Sequence, residues 1–406
     1  MTATRIGLLA TVVVFAAGWL VAAALLWRTS VPSGVDVGGL DASRFFSAHE
    51  LARAARYQRL LDVVWLLSIV AKLAVLAILA RRGPRLARSI GLGRVGTGVI
   101  VGSVVATTVW AVGLPFELAA RWWAARHDLA PGVPAAWLPA QLSSLAADAV
   151  AALAAVSLVL WLAGRLGERW WLVGVPLAGL FSAASLFLFG FAAELGTHAP
   201  RRAALRADIP RLERIENVDG TPVRVNDVGD VTPANAVTNG FGPSANVVLW
   251  STLLDGRFTR GEIRVVVAHE LGHVAHRHVL KTVGWTALVA LPLAWLLTLA
   301  ARLRGGIADP GALPFVLLVL AVVGLLSAPL ANAVSRRYEA EADWSALQAT
   351  RDPAAARKLF VDVARTSLQQ PNPPTWDYLW LKDHPTIAQR IAMIDAWASC
   401  SSQRRC

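Results

Sequence analysis

Four of the eight histidines in this chain fall between His269 and His278, in the stretch VVVAHELGHVAHRH that begins at Val265. Inside it, His269, Glu270 and His273 form H-E-x-x-H. On an α-helix the two histidines lie one turn apart on one face, so both imidazoles can bind one Zn²⁺. Glu270 follows the first ligand and reaches the water beside the metal, where a carboxylate takes its proton as general base. Val265, Val266, Val267 and Ala268 make the approach apolar, which strengthens charge interactions inside. Gly272 has no side chain and admits another backbone close to the helix. The bland alternative is a histidine-rich amphipathic helix at a membrane surface.

Two ligands and a base leave a third ligand to find. His276 lies seven residues from His269, and on a straight helix that puts their Cα atoms about 10 Å apart, too far to share one ion. The longer metzincin pattern also fails, because it needs Gly where His276 stands and His where Val279 stands. Glu339, in the E-x-x-x-D of SRRYEAEADWSALQAT, is the better candidate, with Asp343 one helical turn later. Asp343 would accept a hydrogen bond from a ligating imidazole and fix its tautomer. Glu341 sits between them, so a solvated acidic helix face remains an alternative for all three.

The elements that must position these residues are mostly apolar. Of 406 residues, 55% are hydrophobic and 16% charged, the balance of a polytopic membrane protein rather than a soluble one. The net charge of +12 comes from arginines scattered in short loops, with no nucleic-acid motif beside them, which argues against nucleic-acid binding. Cys400 and Cys406 sit together at the end of the chain and form neither a disulfide framework nor a cysteine zinc site.

Arg5 precedes an apolar run, Ile6 to Trp27, that reads as an uncleaved anchor. Ser47 to Glu50 reads as a capping box opening a helix with Arg53, Arg56 and Arg59 on one face. Further spans are expected over 60–80, 95–115, 146–164, 170–193, 282–301 and 312–334, seven in all. Trp122, Trp123, Trp170 and Trp171 suit the membrane interface. Between the fifth and sixth spans, short β-like runs at Pro222–Asn226, Asn235–Thr238 and Asn246–Trp250 suggest a small antiparallel sheet. The expected organisation is a five-span membrane region (1–195), a first catalytic part with sheet and zinc helix (196–281), a two-span hairpin (282–334) and a second catalytic part (335–406). An odd span count puts the termini on opposite sides, and the arginine bias between loops is too modest to orient them.

Several motifs together resemble the type I CAAX prenyl endopeptidases and their bacterial relatives, including the HtpX-type membrane proteases. NAVTNGFGPSANVVLWSTLL (235–254), HELGH, YEAEAD and DHPTIAQRI (383–391) carry the likeness, which runs from about Val218 to Trp397. It implies a mainly α fold, a polytopic membrane protein of about seven transmembrane helices with a zincin-like (gluzincin) α+β catalytic domain. It implies one Zn²⁺ per chain on His269, His273 and Glu339, with Glu270 as base. It also implies that the strand from Asn235 and Ala236 holds the substrate backbone by β-augmentation. His384 would donate to the oxyanion, and Arg390 would give structural support. The chain departs from the pattern at Thr386, where the family usually has a second proline, and residues 1–195 match by hydropathy alone.

The function expected is an integral-membrane zinc metalloendopeptidase acting on CAAX-type prenylated or membrane-associated peptides, with the lipid bilayer and a peptide or protein substrate as its partners. Protein quality control of the HtpX type is the alternative. A zincin-based signalling receptor is a third reading, but only about 70 residues follow the last span, short for a sensor domain. The tail QRRC is not a CAAX box. Arginine outnumbers lysine heavily, an association with GC-rich bacterial genomes, so the expected location is a bacterial cell membrane.

Overall fold

The computed structural model describes residues 3–35, 37–38, 40–133, 137–229 and 232–402; Cys406 lies outside the described residues. The chain opens with α1 (Ala3–Trp27), then α2 (Ala48–Ile90), α3 (Gly93–Ala125), α4 (Trp137–Leu166) and α5 (Trp171–Ala193). Among the described residues six helices are long and apolar enough to cross a membrane, and Val13–Trp27 of α1 forms a shorter apolar stretch. The Ser47–Glu50 capping box is present, but the helix it opens does not lie apart: α2 runs unbroken for 43 residues into the bilayer span. It stops at Gly91, whose φ of 67° is a left-handed turn that glycine adopts without strain. Inside the bundle, the Trp170 indole of the turn before α5 donates to Thr298 at 2.9 Å, a buried link between helices.

After α6 (Ala203–Glu216) come three short strands, β1 (Val223–Asn226), β2 (Ala236–Asn239) and β3 (Asn246–Trp250). β3 is central, parallel to β1 and antiparallel to β2. The sheet is therefore mixed rather than antiparallel throughout. Sequence runs show which segments are extended, while strand direction depends on how the intervening loops return. β3 is buried along most of its length, and β2 forms one edge of the sheet.

α7 (Arg260–Ala275) carries H-E-x-x-H, and its start is fixed by a reciprocal cap: the Thr259 hydroxyl accepts from Glu262 N–H, and Glu262 accepts from Thr259 N–H at 2.8 Å. Arg277 has φ of 56°, a left-handed residue that ends this helix and lets α8 (His278–Arg302) set off at once as a candidate membrane helix. α9 (Leu313–Thr350) is one 38-residue helix that combines the last apolar run with the YEAEAD segment. The chain closes with α10 (Pro353–Ser367), α11 (Thr375–Leu381) and α12 (Ile387–Ser402).

The main buried core joins β1, β3, α6, α7, the end of α9, α10 and α12. It also takes in Ala42 and Phe46 from the segment between α1 and α2. Fully buried Leu271, Trp344, Leu347, Ile391 and Ile394 are its large members, so the two site-bearing helices share one apolar wall.

Candidate active site

α7 and α9 cross at Gly272, where an added Cβ would stand 3.2 Å from Ser345 Cβ and 3.4 Å from Ala342 Cα. That close approach brings Glu339 to the face of α7 that carries His269 and His273. Their donor atoms all lie within 4.8 Å of one another, the one such group of three or more among the described residues. Nε2 of His269 and Nε2 of His273 are 3.1 Å apart. Glu339 Oε2 is 3.3 Å from the former nitrogen, and Oε1 is 3.5 Å from the latter.

Glu339 Oε2 is enclosed and makes no hydrogen bond of good geometry. Burial resists charge on His269, but Asp343 and Glu339 outweigh it and raise its pKa to about 10. On His273 burial prevails, and the pKa falls to about 3. Two imidazole nitrogens and a carboxylate thus converge, a donor set that fits a divalent metal ion.

Each remaining residue has a defined place. Asp343 Oδ1 lies 2.9 Å from His269 Nδ1, which keeps a ring proton on Nδ1 and turns Nε2 toward the cluster. Arg390 grips both oxygens of Asp343, at 2.7 and 2.5 Å, and its guanidinium lies 4.0 Å over the Phe360 ring. Its support is therefore delivered to Asp343. His384 stands on the turn between α11 and α12; Nδ1 bonds Asp383 at 2.8 Å and Nε2 lies 3.2 Å from Glu339 Oε2. Nearly half its side chain is exposed, against about an eighth for His269 and His273.

Glu270 is buried at the wall of a cleft shared with Ala234, Ala236, Phe360, His384 and Arg390. Burial pushes its carboxyl pKa up, opposed by the His269 charge and by a 2.8 Å hydrogen bond from the Thr238 hydroxyl. Thr238 belongs to β2 and lies within the 235–254 stretch, but only the pairing of strand and helix shows its contact with Glu270. Asn235 lies just before β2. Its carbonyl accepts from Trp250 N–H at 2.9 Å, and its side chain accepts from Ala236 N–H at 2.9 Å.

The acidic face of α9 is not solvated: Glu339, Glu341 and Asp343 are all buried. His276 is turned from the cluster and stands 3.4 Å from Glu341.

A profile of Peptidase family M48 matches residues 201–398. The chain is 26% identical over 394 residues to the uncharacterized metalloprotease YhfN of Bacillus subtilis, covering 89% of each protein. It is 32% identical over 211 residues to the Protease HtpX homolog 1 of Streptomyces coelicolor, covering 49% of this chain and 68% of that one. The crystal structure of S. mikatae Ste24p superposes with a TM-score of 0.72 at 16% identity, over 93% of this chain and 96% of that one, which shows a shared fold. The chain belongs to peptidase family M48 and is an integral-membrane metalloendopeptidase.

Proposed function

We propose that the metal is zinc and that His269, His273 and Glu339 hold it. The supporting observation is spacing. With zinc–nitrogen bonds of about 2.0–2.1 Å in a tetrahedron, neighbouring donors stand about 3.3 Å apart. The three separations here are 3.1, 3.3 and 3.5 Å. When bound, zinc supplies Lewis-acid polarisation of the scissile carbonyl and acidifies the attacking water.

Glu270 takes that water's proton and hands it to the leaving amine. Its raised pKa brings it nearer the range where a carboxyl both accepts and donates at neutral pH. Thr238 holds one carboxylate oxygen and so aims the other. His384 donates to the oxyanion from its exposed position at the cleft mouth. Asp343 and Arg390 hold the His269 ring.

The substrate is an extended peptide lying along β2. Asn235 is spent on β3, and alternation of the antiparallel ladder then turns the backbone groups of Ala236 and Thr238 to the free edge. A peptide paired there passes over Glu270 along the cleft. Because α7 gives way to an apolar candidate membrane helix after a single left-handed residue, the natural substrates are CAAX-type prenylated or other membrane-associated peptides. The HtpX-named relatives favour a second reading, turnover of membrane proteins in a bacterial cell membrane. Profiling cleavage of matched farnesylated and unmodified peptides separates the two. A farnesyl preference of tenfold or more supports prenyl-peptide processing; equal rates contradict it and leave quality control.

A further inference from the structure

The metal-site arrangement proposed above gives His269 a partner in Asp343, but leaves the other histidine ligand without an assigned support. The structure contains one. Nδ1 of His273 lies 2.8 Å from Nδ1 of His278, and Nε2 of His278 lies 2.9 Å from Glu341 Oε2. Every proton in this chain has one place. If Nε2 of His273 faces the metal it is bare, so the ring proton sits on Nδ1 and is donated to His278. His278 Nδ1 then accepts, its own proton sits on Nε2, and that proton goes to Glu341. His278 and Glu341 are 4% and 2% exposed, so neither hydrogen bond is shared with bulk water.

Glu341 is itself held from several sides. Ser30 N–H bonds Oε1, Lys281 lies 3.2 Å from Oε2, and His276 stands 3.4 Å from Oε1. The Lys281 ammonium occupies the place a second cation would need, so this cluster is not another metal site. The His278 ring stacks on Tyr338 at 4.6 Å, one residue before Glu339. The Tyr338 hydroxyl donates to Leu26 O at 2.8 Å, and Arg337 donates to Trp27 O at 3.1 Å. The end of α1 is therefore fastened to the same stretch of α9 that supplies the third ligand.

We propose that His278 and Glu341 are positioning residues for the metal centre, a second acidic anchor that orients His273 as Asp343 orients His269, and that the exit of α1 holds this anchor in place. This rests on the ligand assignment above.

The test is zinc affinity of the full-length, detergent-purified protein, measured by competition with a chelator. His278→Phe keeps the ring stack on Tyr338 but removes both hydrogen bonds, and is expected to weaken zinc binding by about 10- to 100-fold. His278→Gln, which accepts and donates from similar positions, is expected to restore part of the loss. The melting temperature of chelator-treated protein should match wild type in both, which separates ligand orientation from general stability. If His278→Phe does not yield folded protein, Glu341→Gln decides, with about a tenfold loss expected. Wild-type zinc affinity in the folded variants overturns the anchor alone. A wild-type chain that binds no zinc overturns both the anchor and the zinc assignment.

Discussion

The Thr238 hydroxyl stands 2.8 Å from Glu270 Oε2 and 2.9 Å from the Glu270 carbonyl oxygen, tying the edge strand to α7. The strand proposed to hold the substrate backbone and the group proposed to move its protons are thus one rigid unit. Thr238→Val keeps the shape and removes the hydroxyl. A hydrogen bond to a charged group contributes about 1.5–3 kcal/mol, so kcat should fall by about tenfold or more. Zinc content should stay at the wild-type level, which steady-state kinetics and metal analysis check together.

Gly272 sets the distance between α7 and α9. Gly272→Val would push its side chain into Ala342 and Ser345, displacing the helix that bears Glu339. Overpacking of this kind costs about 1–3 kcal/mol, read as a lower melting temperature, and zinc should dissociate faster because one ligand has moved off.

Arg390 and Asp343 form a buried pair, their side chains 13% and 5% exposed. Arg390→Met leaves the Asp343 charge enclosed without its partner, a loss of about 3–5 kcal/mol in thermal unfolding. The simultaneous Arg390→Met, Asp343→Asn change should recover part of that stability, yet it should still bind zinc more weakly than wild type, because His269 has lost its anionic acceptor.

These residues were not equally visible beforehand. His269, Glu270 and His273 are legible because helical periodicity alone places them on neighbouring parts of one surface. Glu339 and Asp343 are legible as a turn-spaced pair, and the membrane helices as apolar runs. Glu341 reads as a surface acid because its partners, Ser30 before α2 and His278 and Lys281 at the start of α8, come from two distant segments that meet it only in the fold. The direction of β1 against β3 and the continuity of α9 through YEAEAD likewise depend on tertiary packing. Thr238 falls inside the 235–254 stretch, but nothing there singles it out; its contact with Glu270 comes from facing α7 rather than from its type.

Glu270→Ala tests the central account most directly, with zinc per chain and cleavage of an extended peptide measured on the same preparation. About one zinc per chain is expected in both proteins, with a loss of at least about a hundredfold in kcat for the variant. Cleavage at the wild-type rate by zinc-loaded Glu270→Ala would contradict it.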